Sequence, residues 1–138
     1  MRALPGFQAP KTFLSACVML VSLTATAGVW DEGDIEAGQA LFNANCASCH
    51  KVTNEVLAAP GLAGIADRWG ASEELLVKWI QNPQGAAESG DGYIKSLVDR
   101  YVPTYGWMTA QAVSEDDIKN IMAYVCLLYT SDAADDET

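Results

Sequence analysis

The feature that most restricts this chain is Cys46-Ala47-Ser48-Cys49-His50, two thiols separated by two residues with the only histidine of the sequence directly behind the second. On a helical backbone this spacing sets the thiols one turn apart. Each can then add across one vinyl group of a porphyrin while the adjacent imidazole is carried under the ring as an iron ligand. The motif therefore reads as attachment of one covalent haem c through Cys46 and Cys49, with His50 as the proximal ligand. A structural zinc site would need a second pair of ligands, and neither a second C-x-x-C nor an H-x-H is present. A thioredoxin-like dithiol would need a strand leading into the motif, whereas the flanks show helical periodicity.

The 138 residues suffice for one domain, and both ends look foreign to it. Residues 1–27 read as a secretory signal: Arg2 and Lys11 are the positive flank, residues 12–23 form an apolar run too short for a comfortable membrane span, and Ala25-Thr26-Ala27 is a cleavage site. Leu14-Ser15-Ala16-Cys17 resembles a lipoprotein box that would acylate Cys17. It follows Lys11 too closely, and the apolar run continues to Leu23, so cleavage at Ala27 and export to the periplasm are the expectation. At the other end Cys126 to Asp136 match, codon for codon, a reading frame through a transposase sequencing adapter. Residues 126–138 are thus expected to be an adapter-derived tail, the alternative being an acidic disordered one, and the domain to occupy residues 28–125. Within it Cys46 and Cys49 are the only thiols, so no disulfide is expected.

Residues 28–125 hold six Lys/Arg against fourteen Asp/Glu, a formal −8. So acidic a domain is a poor binder of nucleic acid or of anionic lipid, and suits redox protein partners with basic docking patches. Membrane association is expected only through a larger complex or a lipid anchor.

Helical periodicity accounts for most of what remains. Asp34 caps a helix from Ile35 to about Asn45, with Ile35, Gly38, Leu41 and Phe42 on one face, and a glycine on an apolar face calls for another helix crossing closely. That partner should be the last helix, which opens on the capping box Ser114-Glu115-Asp116-Asp117 and continues through Ile118, Ile121, Met122 and Val125, with Tyr124 at the crossing. Residues 51–64 show no periodicity and read as a loop around the proximal side, where Pro60 fixes the backbone so that a carbonyl can accept from His50. Ile65, Ala66 and Trp69 suggest a short helix ending at Gly70, and Arg68 beside them reads as a solvated charge in preference to the partner of a haem propionate. Ser72 caps a helix carrying Leu75, Leu76, Trp79 and Ile80, which Asn82-Pro83 stops. Trp79 serves either the core or a haem propionate. A polar stretch, residues 84–92, leads to an amphipathic helix with Tyr93, Ile94, Leu97, Val98 and Tyr101, for which packing is sufficient reason.

A single histidine leaves the sixth iron position to methionine, to a weaker ligand, or open. Once the signal is set aside only Met108 and Met122 remain. Met122 lies in the apolar stripe of the last helix, where filling the core is its default role. Met108 sits in Tyr105-Gly106-Trp107-Met108-Thr109, a segment without helical stripe, and is the expected ligand.

Helix, C-x-x-C-H, proline loop, middle helix, loop methionine and capped terminal helix together resemble a class I monohaem cytochrome c domain over residues 33–125. The resemblance implies an all-α fold of about four to five helices around one haem, with the terminal helices crossing. The finer pattern, Ala44-Asn45 before the motif, Leu75 to Asn82, Ser89-Gly90-Asp91, and Met108-Thr109-Ala110 before Ser114, is similar to cytochrome domains of Bacteroidetes-type respiratory chains. Such domains occur in the alternative quinol-oxidising complex and beside haem–copper oxidases. The resemblance implies His50 and Met108 as axial ligands, Cys46 and Cys49 as thioether anchors, the Pro60 carbonyl on His50, and Trp79 near a propionate. Ala59 departs from the usual glycine before proline, and Gln111 from an aromatic. The function so implied is one-electron transfer rather than catalysis. The alternatives are the haem domain of a larger membrane-complex subunit, and an open-site haem sensor or peroxidase.

Overall fold

A computed structural model describes residues 30, 32–70 and 72–135, with side chains as far as Leu128. The expected signal, residues 1–27, lies outside the described residues. These fold into six helices: α1 Ile35–Asn45, α2 Ile65–Trp69, α3 Glu73–Gln81, α4 Pro83–Ala87, α5 Gly92–Tyr105 and α6 Glu115–Asp135. Among the described residues there is no strand, only an isolated antiparallel bridge between His50 and Val56. No helix among them is long and apolar enough to cross a membrane.

The caps explain most of the boundaries. Asp34 accepts from the Ala37 amide at 3.0 Å and starts α1. Asp91 accepts from the Tyr93 and Ile94 amides at 2.8 and 3.0 Å and starts α5. Asn82 closes α3 with its own amide on the Lys78 carbonyl and opens α4 by accepting from the Gly85 amide, while Pro83 takes the first helical position, where no amide is needed. That double use is why α4 stands where the sequence suggested only a polar stretch, and why there are six helices and not four or five. Ser72 makes no side-chain cap to α3, contrary to expectation. α5 runs on through Pro103 to Tyr105, so Tyr105 belongs to a helix and not to the loop that follows; a proline in the last turn removes just one bond of the ladder.

At the start of α6 the capping box closes in both directions. The Asp117 amide donates to Ser114 Oγ at 3.1 Å, and the Ser114 amide donates to Asp117 Oδ2 at 2.9 Å. The bonds from Ser114, its backbone amide first, hold the Asp117 carboxyl below its ordinary range. Its share of stability is therefore present above the usual aspartate pKa and lost as pH falls through the depressed value. Ser114→Ala is expected to lower stability by about 1 kcal/mol in denaturant unfolding, and to remove part of the acid-range slope, because Asp117 then has one donor fewer.

α1 and α6 cross at Gly38. A Cβ there would lie 1.9 Å from the Asn120 carbonyl oxygen, so the helices meet backbone to backbone. Phe42, Ile121 and Val125 form the core beside the crossing, and the Phe42 and Tyr124 rings meet at 5.7 Å. Ile35, expected on the buried face, is 42% exposed. Ahead of α1, Trp30 is buried in the second core cluster with Trp69, Leu76, Ile94, Ile118 and Met122, and the Asp34 amide bonds Asn120 Oδ1 at 2.8 Å. The helical backbone of α6 continues past Val125 to Asp135.

Candidate haem site

The motif inherits its geometry from the end of α1. The Cys46 amide bonds the Phe42 carbonyl, and the Cys49 and His50 amides return to the Cys46 carbonyl at 3.1 and 2.9 Å, so the helical turn is carried one step past the last residue of the helix. Cys46 is half-buried and Cys49 exposed, and neither is in a disulfide. Burial, and then the charge of Cys49, push the Cys46 thiol above its ordinary range, which keeps it a thiol and not a thiolate.

The loop after the motif folds back on it. The Ala59 amide bonds the Cys49 carbonyl at 3.0 Å and the Leu62 amide bonds the Lys51 carbonyl at 2.9 Å. This places the Pro60 carbonyl oxygen 2.7 Å from His50 Nδ1. A carbonyl can only accept, so Nδ1 carries the proton and Nε2 keeps a lone pair for a metal. Ala59, where glycine was the expected residue before proline, leaves this contact intact.

Cys46, Cys49, His50, Pro60, Trp79 and Met108 all line one cavity of about 500 Å³ that lies between the two core clusters. Each candidate residue read from the sequence is thus brought to the same place by a different element: α1 and its turn, the proline loop, α3, and the segment before α6. The Met108 segment has no helical ladder of its own and is held by α3. The Gln111 amide donates to the Ile80 carbonyl at 3.0 Å, and Gln81 Nε2 donates to the Val113 carbonyl at 2.8 Å. Gln111, the departure from an aromatic, also donates its side-chain amide to the Thr109 carbonyl at 2.9 Å, replacing ring packing with a polar tie.

Cavity size, apolar lining and donor set suit a porphyrin anchored by two thioethers. Comparison with known proteins decides the matter: the sequence profile of the cytochrome c family matches residues 35–127. The chain belongs to the cytochrome c family. Its haem is therefore a haem c held through Cys46 and Cys49, and its fold is the all-α class I fold. A cytochrome c from Tetrahymena pyriformis is 37% identical over 44 residues, which span 32% of this chain and 40% of that protein. A solved cytochrome c from Rhodothermus marinus superimposes with a TM-score of 0.52 at 25% identity, covering 70% of this chain and 78% of that one. Haem-based electron transfer is the work of this family.

One residue of the cytochrome site escaped the sequence reading and another was given its less favoured place. Arg68, read as a solvated charge in preference to a propionate partner, is tied by Nη1 to the Ala63 carbonyl and lines the cavity. Tyr93, read as packing, lines it too, with a buried hydroxyl. A tyrosine on an amphipathic stripe signals burial of the ring, and nothing in the periodicity reveals where the hydroxyl ends.

Proposed function

We propose that this cytochrome c is a one-electron carrier with His50 and Met108 as the axial ligands of its haem, working in the periplasm of a bacterial respiratory chain. The observation that carries the ligand set is that His50, tautomerically fixed by Pro60, and Met108, on a segment tied at two points to α3, line the same cavity, whereas Met122, which also lines it, is packed into the core from the apolar stripe of α6. When bound, the haem supplies a ferrous/ferric couple, and a neutral imidazole with a thioether favours the reduced form. The residues do the rest. Pro60 orients the imidazole, Gln81 and the Ile80 carbonyl keep the Met108 segment seated, and the apolar lining keeps water out. A thioether in the sixth position leaves no place for peroxide or a gas, which disfavours the sensor and peroxidase readings.

The bacterial setting is supported by the signal-like residues 1–27 and by the likeness in fold to the Rhodothermus marinus protein. Tyr105 and Trp107, 39% and 40% exposed on the cavity wall, give the rim an aromatic face, and the acidic surface favours redox partners with basic patches.

The test is the near-infrared sulfur-to-iron charge-transfer band of the ferric holoprotein. It is expected in the native protein, lost in Met108→Ala and retained in Met122→Leu, a volume-conserving change of the 2%-exposed core methionine. A band that survives Met108→Ala defeats the assignment.

A further inference from the structure

Tyr93 is the second residue of α5 and is held more firmly than packing requires. Its amide is bonded by Asp91, and its carbonyl accepts from Ser96 Oγ at 2.7 Å. Its ring meets the buried Trp69 edge-on, with centroids 5.0 Å apart and an interplanar angle of 86°. Together these direct the hydroxyl into the haem cavity, on the wall that also carries Arg68. There the hydroxyl is buried beside the Arg68 guanidinium, which can only donate to it, and its own proton has no acceptor among the described residues. Burial pushes the phenol above its ordinary range, against the opposing pull of the Arg68 charge, so the group is a neutral donor at physiological pH.

A buried donor without an acceptor bears its whole desolvation penalty, and native proteins seldom leave one so. The group that belongs in this cavity brings its own acceptors. A haem carries two propionate carboxylates, and a carboxylate entering an apolar cavity needs donors and a counter-charge. A phenol hydroxyl beside a guanidinium that is already anchored to the Ala63 carbonyl supplies both. The rival acceptor on the wall is the Met108 thioether, a weak one that gives the neighbouring Arg68 no purpose.

We propose that Tyr93 donates its hydroxyl to one propionate of the haem, beside Arg68, and so joins α5 to the polar edge of the cofactor. Tyr93 is then a haem-binding residue that tunes the couple. A propionate relieved of part of its negative charge favours ferric iron less, so the donor raises the reduction potential.

The experiment uses holoprotein carrying haem with ¹³C in the propionate carboxyl groups, and records ferric-minus-ferrous infrared difference spectra. The variants are Tyr93→Phe, which keeps the ring on Trp69, and Tyr124→Phe, whose ring packs on Phe42 and does not line the cavity. The expected result is a shift of the isotope-sensitive carboxylate bands and a lower potential in Tyr93→Phe, with native bands in Tyr124→Phe. Isotope-sensitive bands that are the same in Tyr93→Phe and native protein overturn the proposal. So does a change confined to the sulfur-to-iron band, which would give the hydroxyl to Met108. Absence of that band from native protein would count against Met108 ligation alone, since the propionate bands are read independently of it.

Discussion

Gly38→Val is expected to yield no folded holoprotein, and Gly38→Ala to lower stability by about 3 kcal/mol in denaturant unfolding. Two effects oppose each other at this position, and their sizes decide the sign. On helix propensity alone, alanine should stabilise an 11-residue helix by about 1 kcal/mol relative to glycine. Against this, the first carbon of any side chain would stand 1.9 Å from the Asn120 carbonyl oxygen and 2.5 Å from its carbon. Both are backbone atoms inside α6 and cannot swing aside as a side chain would. α1 and α6 must therefore move apart to admit even a methyl group.

Separation reaches further than one contact. Phe42, Ile121 and Val125, at 4%, 5% and 1% exposure, are buried by this crossing, and each contributes about 2 kcal/mol when fully withdrawn from water. The Asp34 amide would also lose Asn120 Oδ1. Small domains have only about 5–15 kcal/mol in hand, so a larger side chain exceeds what the fold can absorb. The site would be lost with it, because α1 ends in the thiol motif and α6 follows the Met108 segment. A Gly38→Ala variant as stable as the native protein would show that the helices do not meet at this residue.

Gly38 also shows what kind of information the sequence carried. A glycine on an apolar helix face has few explanations other than close approach, and the thiol motif has few other than haem, so both were legible. The same holds for Asp34 and the Ser114 box, where the cap and the amide it satisfies lie within one turn. What escaped depended on the third dimension. Trp30 is buried in a cluster with Ile118 and Met122 of α6, at the far end of the domain in sequence, and the two residues that follow it, Asp31 and Glu32, are acidic. α4 exists because Asn82 can serve two helices at once, a choice local propensity does not reveal. Ser72 looks like a cap, but with ψ at 60° its hydroxyl makes no bond to the α3 amides. Tyr93 and Arg68 came to line one cavity only when folding brought α2 and α5 to the same wall.

Gly61→Ala is expected to raise the reduction potential and to loosen the His50 ring while leaving the thioether bonds intact. The proximal loop is folded so tightly that a Cβ at Gly61 would lie 2.2 Å from the Thr53 carbonyl oxygen and 2.7 Å from the Asn54 carbonyl carbon. Those atoms are backbone again, and Thr53 is fixed by accepting from the Ala63 amide at 3.3 Å. The stretch of loop bearing Gly61 has to move. The peptide joining Pro60 to Gly61 carries the very carbonyl that accepts from His50 Nδ1 at 2.7 Å, and the fixed φ of proline lets that carbonyl move only with its neighbours. A displacement of about 1 Å takes the contact out of hydrogen-bonding range. Without the acceptor, Nδ1–H is less polarised, the imidazole is a weaker donor to iron, and the ferric state loses more than the ferrous. The change is therefore read as a higher potential, together with faster solvent exchange of the His50 Nδ1 proton by NMR. Thiol attachment should persist, since Cys46 and Cys49 are placed by the turn that ends α1, which this substitution does not touch. An unchanged potential with a protected Nδ1 proton would mean that the loop yields elsewhere and that the Pro60 carbonyl is held to His50 by more than the path through Gly61.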